Sequence, residues 1–106
     1  RPVVPEHCEQ AWHMYYLLMP SLEARTEFIA RLKDKGVTAV FHYLPLNRSA
    51  YATAQAQQEI EDRRWKLAEC PVTEDVSDRI VRLPFYTSMT EEEQGRVIQA
   101  VLEWKR

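Results

Sequence analysis

His42 and Tyr43 stand side by side in "AVFHYLPLNRSAY", residues 39–51, two rings able to donate and accept hydrogen bonds at the end of an apolar run. Pro45 stiffens the loop beyond them, and Asn47 adds an amide. A strand end beside such a loop is rigid on one side and exposed on the other, a usual place to present side chains to a ligand. The plainer alternative has the two rings alternating across the strand, one turned inward and satisfied by hydrogen bonds, the other solvated. Arg79 and Arg82 carry a similar pair of readings, as anion binders or as ordinary surface charges.

Other chemistries are poorly supplied. His7, Cys8, His13, His42 and Cys70 are possible metal ligands, but none forms the close pairs typical of a zinc site, so no metal is expected. Ser49 or Cys8 as a nucleophile needs a base and an oxyanion hole, and the two glycines, Gly36 and Gly95, fall at a helix end and inside a helix. A phosphate-cradling loop is therefore missing. Glu91, Glu92 and Glu93 open a helix, while Glu59, Glu61 and Asp62 lie on a polar helix face, so both groups read as solvated charge. Trp12, Trp65 and Trp104 read as core or interface anchors.

The elements that must position these residues belong to one domain. The 106 residues, 45% hydrophobic and 28% charged, suffice for one core and not for two. A formal net charge of -2 argues against nucleic-acid and anionic-membrane surfaces, which need a concentrated positive field. No apolar run approaches the ~20 residues that span a bilayer, and no signal-peptide pattern opens the chain, so a cytoplasmic protein with two free thiols, Cys8 and Cys70, is expected. Residues 1–10 lack an initiator Met and any periodicity, and read as a linker from a missing upstream domain.

Residues 11–19, aromatic-rich and closed by Pro20, predict a strand. Ser21 is the expected N-cap of a helix that buries Leu22, Phe28, Ile29 and Leu32 and ends with Gly36 at C′. Residues 37–41 predict a second strand. Residues 49–69 favour helix with a thin apolar face of Ile60, Trp65 and Leu67. Pro71 is expected to break the chain, and Thr73 to cap a short helix with Glu74 and Asp75 in its first turn. Residues 81–85 predict a strand that Pro84 makes an edge or a terminus. Thr90 and Glu93 form a capping box before a helix striped by Val97, Ile98, Val101 and Leu102. The order β, α, β, α, α, β, α predicts an α+β fold, a small sheet of about three strands covered by helices. Strand direction is not legible from periodicity.

Taken in order, "PEHCEQAWHMYYLLMP", "KGVTAVFHYLPLNRS", "PVTEDVSDRIVRLPFYTSMTEEE" and the closing helix resemble the C-terminal part of the DegT/DnrJ/EryC1/StrS sugar aminotransferase family. The resemblance covers nearly the whole chain. It implies a fold-type-I enzyme dependent on pyridoxal phosphate, normally a homodimer, with a large cofactor domain followed by a smaller domain like this one. It also implies transfer of an amino group from glutamate to a nucleotide-linked keto sugar. That chemistry needs a Schiff-base lysine, an acid facing the pyridine nitrogen and a phosphate cup. Lys33, Lys35, Lys66 and Lys105 all sit in polar helical contexts, so the cofactor apparatus is expected elsewhere and this piece alone is expected to be inactive.

By the same resemblance, His42 and Tyr43 line the sugar-nucleotide pocket as orienting groups, with Asn47 and, from the opening strand, His13 as further substrate contacts. No residue of the chain is expected to be catalytic. Family members often carry a second His where this chain has Asn47, which keeps hydrogen bonding and removes proton transfer. Residues 51–70 also lack the glycines usual there. The alternative is a free-standing, non-catalytic α+β interaction module using Trp65 and the polar helix.

Overall fold

Ser21 starts the first helix as its type and place predict. Its Oγ accepts from the Ala24 amide at 3.2 Å, and α1 runs Leu22–Asp34. The computed structural model describes residues 3–57 and 68–104. Gly36, at φ 73°, takes the left-handed conformation that ends α1. The Gly36 amide donates to the Lys33 carbonyl and the Val37 amide to the Leu32 carbonyl, both at 2.9 Å, which is a Schellman cap. Val37 and Leu32, brought together by that cap, are both buried in the core.

The same cap shortens the strand expected at residues 37–41. The Val37 amide already serves the helix end, and only Val40–Phe41 forms β2. The first strand is also shorter than expected. β1 is Tyr15–Leu18, and Trp12 upstream of it has φ 46°, a left-handed backbone that breaks any extension toward residue 11.

A single 3₁₀ turn, Leu46–Arg48, leads into α2, Ala50–Gln57. Ile60, Trp65, Lys66 and Leu67 lie outside the described residues, while residues 68–70 are not helical. α3 is Pro71–Arg79, and it corrects two expectations. Pro71 opens the helix instead of breaking the chain, because the first helical position needs no amide donor and suits proline's fixed φ. Cys70, not Thr73, is the N-cap residue, and its amide donates to the Glu74 carboxylate at 3.1 Å.

β3 is Ile80–Leu83, and it lies in the middle of the sheet, in the order β1-β3-β2. Pro84 falls just past its end, so of the two readings for this segment the strand terminus holds. β3 is antiparallel to both neighbours, with Tyr15 opposite Leu83, Leu18 opposite Ile80, and Val40 opposite Arg82. β1 and β2 therefore run the same way, joined through α1 with β3 inserted between them, a split βαβ unit.

α4, Glu91–Leu102, opens with the predicted capping box of Thr90 and Glu93. One side of the sheet (Leu17, Ala39, Val81, Leu83) packs against Phe28 and Leu32 of α1 and Val97, Ala100 and Val101 of α4. Trp104 meets Phe28 edge-on, ring centroids 5.2 Å apart. Ile98 and Leu102, expected in the stripe, are exposed. Ala100 and Trp104 take their place, since a small residue lets the helix approach the sheet closely. Leu22 is likewise exposed at the start of α1.

Candidate functional site

β2 ends at Phe41, with His42 and Tyr43 following it, and elements distant in sequence grip each of the three. The Arg25 guanidinium of α1 lies over the Phe41 ring, 5.5 Å from its centroid. Its Nη1 also donates to the Ser77 carbonyl at 2.8 Å. Ser77, buried in α3, donates through Oγ to the Tyr43 carbonyl at 3.4 Å. α1 and α3 thus hold the tip backbone between them. Pro45 is buried, which anchors the far side of the loop.

The two rings are presented differently. His42 is half-buried, with Nδ1 3.4 Å from Nη1 of Arg82. A guanidinium can only donate, so Nδ1 is the acceptor and the ring proton sits on Nε2. Tyr43 is 78% exposed and stands against His42 edge-on, centroids 5.1 Å apart. Leu44 and Leu46 beside it are exposed as well. The tip is an apolar prominence carrying two hydrogen-bonding rings.

Asn47 faces the domain. Its Nδ2 donates to the Ala68 carbonyl at 2.9 Å and to Oε1 of Glu74 at 2.6 Å, while Oδ1 has no partner among the described residues. Arg48 reaches the other oxygen of Glu74 at 2.9 Å and Asp78 at 3.3 Å. Three donors on one carboxylate, the Cys70 amide foremost and then Asn47 with the Arg48 charge, hold Glu74 below its ordinary pKa. The 3₁₀ turn is thereby fastened to the start of α3.

His13 is exposed and precedes β1. The strand register sets β1's first residue, Tyr15, opposite Leu83, whereas His42 follows Phe41, which faces Val81. His13 and His42 therefore belong to opposite ends of the sheet; the structure brings His42 and Tyr43 together, while the contacts of Asn47 are to Ala68 and Glu74. Two shallow clefts lie elsewhere, one of about 240 Å³ lined by Phe28, Lys35 and Trp104, the other of about 230 Å³ lined by Thr38, Tyr86 and Arg96. Neither touches the tip.

The arrangement can bind and orient through hydrogen bonds, but it holds no nucleophile beside a base. Lys33 is exposed on α1, and Lys35 is paired with Glu103. Neither has the enclosure or facing acid that pyridoxal phosphate requires, so the described residues do not fit that cofactor. Lys66 and Lys105 lie outside them, as does Trp65. Among the described residues no three metal-ligating side chains gather, Cys8 and Cys70 are both free, and no helix is long and apolar enough to cross a membrane.

The sequence profile described as the DegT/DnrJ/EryC1/StrS aminotransferase family matches residues 2–102. The chain belongs to this family. Relatives include the uncharacterized protein MJ1066 of Methanocaldococcus jannaschii, 30% identical over 103 residues, covering 94% of this chain and 25% of that protein. The spore coat polysaccharide biosynthesis protein SpsC of Bacillus subtilis is 30% identical over 104 residues, with the same coverage of 94% and 25%. The dTDP-3-amino-3,6-dideoxy-alpha-D-galactopyranose transaminase of Aneurinibacillus thermoaerophilus is 24% identical over 102 residues, covering 94% of the chain and 24% of that enzyme. The chain spans about a quarter of the length of these relatives.

Arg25, Ser77 and Glu74 hold the tip, and the sequence alone does not single them out for that role. Glu74 carries a local signal, four residues after a break at Cys70 and Pro71 and so able to cap the helix. Arg25 and Ser77 carry none, because their contacts to the tip cross 16 and more residues of chain that only the fold brings together.

Proposed function

We propose that this chain is the C-terminal domain of a pyridoxal-phosphate-dependent nucleotide-sugar aminotransferase, in which the His42–Tyr43 tip completes a substrate pocket. The observation that carries the reading is the tip itself: two hydrogen-bonding rings on an exposed apolar prominence, with its backbone held from behind by Arg25 and Ser77. A prominence of this kind, apart from the two clefts described above, suits a surface covered by another domain. The remaining three-quarters of the polypeptide, judged by the relatives' length, supply the Schiff-base lysine, the acid and the phosphate cup. The chain alone is inactive.

In this reading His42 donates through Nε2 and Tyr43 through its hydroxyl to orient the sugar nucleotide, Asn47 offers Oδ1, and His13 contributes from the opposite end of the sheet or from a dimer contact. Holding a substrate in reactive geometry lowers a barrier without any proton leaving these groups. The amino donor is glutamate and the acceptor a dTDP-4-keto-6-deoxyhexose. "HCEQAWHMYY" and "AVFHYLPL" resemble dTDP-4-amino-4,6-dideoxygalactose transaminase, and the relatives named for a spore coat polysaccharide and an amino-deoxy sugar fit the same class of product. Surface-polysaccharide synthesis in the cytoplasm by a homodimer is the corresponding role.

The test uses the full gene product that contains this chain, loaded with pyridoxal phosphate and given glutamate. Formation of 2-oxoglutarate beyond one equivalent per cofactor site only when the keto sugar is added supports the reading. A folded, cofactor-loaded protein that forms none refutes it.

A further inference from the structure

Alternation along β3 puts Val81 and Leu83 on the helix-covered face and Arg82 on the other, with Ile80. Tyr16 and Val40 lie directly opposite Arg82 on its two neighbouring strands, and residues paired in this way share a face. His42, two residues beyond Val40, joins them there through its contact with Arg82. Tyr16, Arg82 and His42 thus share the second face of the sheet.

Arg82 is half-buried, yet among the described residues no carboxylate lies within ion-pair distance of it. The acids of nearby α3 are engaged by other cations: Asp75 with Arg79 at 2.6 Å, Glu74 and Asp78 with Arg48. Its side-chain hydrogen-bond partner is an imidazole nitrogen, which carries no negative charge and occupies one of five N–H donors. A half-buried guanidinium with no anion beside it among the described residues is costly to desolvate, and its planar fork of donors matches a phosphate or carboxylate.

We propose that Arg82, flanked by His42 and Tyr16, is an oxyanion-binding residue that takes a phosphate or carboxylate group of the substrate. The proposal rests on the reading of the tip as part of the substrate pocket. Two groups of the proposed reaction carry this chemistry, the diphosphate of the sugar nucleotide and the carboxylates of the amino donor. Because Arg82 also holds Nδ1 of His42, an anion on Arg82 and the orientation of the His42 ring are coupled.

The test titrates the full gene product that contains this chain with inorganic pyrophosphate and, separately, with glutamate, following histidine ring and arginine side-chain nuclear resonances. A saturable shift of the Arg82 and His42 signals, weakened about tenfold or more in Arg82→Met, supports the site. Response to pyrophosphate alone assigns it to the nucleotide portion, and response to glutamate alone to the amino donor. Arg82→Lys, which keeps the charge, retains part of the response and guards against a folding defect in the first variant. No saturable shift with either probe, or one undiminished in folded Arg82→Met, overturns the proposal. Binding is read here without turnover, so a null titration removes the oxyanion site while the assay of the full gene product still decides the substrate-pocket reading.

Discussion

Nδ2 of Asn47 lies 2.6 Å from Oε1 of Glu74, so the turn after the His42–Tyr43 tip is tied to the first turn of α3 by an amide that has both its protons committed. Asn47→Asp replaces that donor with a second carboxylate at contact distance. The expected result is a lower Tm at neutral pH that recovers on acidification, measured by thermal unfolding across pH.

Glu74 also predicts a pH effect in the unmutated chain. Its folded-state pKa lies below the unfolded value, so its contribution is present above the ordinary carboxylate range and is lost as pH falls through the lowered value. Glu93 acts in the same direction, held down by the Thr90 amide and hydroxyl. Glu74→Gln is expected to lower stability near neutrality and flatten the acid limb of the Tm-against-pH curve.

Thr90→Ala removes the hydroxyl that accepts from the Glu93 amide at 3.2 Å. A lost N-cap of this kind costs about 1 kcal/mol. Denaturant unfolding at neutral pH is the measurement, and an unchanged midpoint would show that α4 does not depend on its cap.

Gly36→Ala tests the Schellman turn. An added Cβ meets only Arg96 at an ordinary 3.7 Å, so crowding does not decide the outcome. The left-handed φ of 73° does, at about 1 kcal/mol of destabilisation.

Phe28→Ala opens a hole beneath the sheet and removes the edge contact with Trp104. A loss of about 3–5 kcal/mol is expected, with a red-shifted Trp104 emission if the chain still folds.

The helices are more legible in the sequence than the strands. Ser21, Gly36, Thr90 and Glu93 each act through neighbours three or four residues away, so their roles are written locally. The limits of β1 and β2 are not, because Trp12 departs from extended backbone and Val37 is claimed by the helix cap. Periodicity also cannot show that β3 sits between the other two. At the site, the pairing of His42 with Tyr43 is visible as adjacent letters, but the Arg25–Ser77 grip and the Arg82 contact join residues 34 to 52 positions apart. For Asn47 the family resemblance implies a substrate contact, and the fold adds what the sequence does not show, that its Nδ2 ties the turn to Ala68 and Glu74.

The central place of β3 has a consequence for synthesis. Both flanking strands emerge from the ribosome before the one segment either can pair with, and the sheet cannot close until residue 83 has cleared the exit tunnel. During translation α1, sealed by its own caps, is the piece able to form early, while Tyr15–Leu18 and Val40–Phe41 wait as unmatched edges.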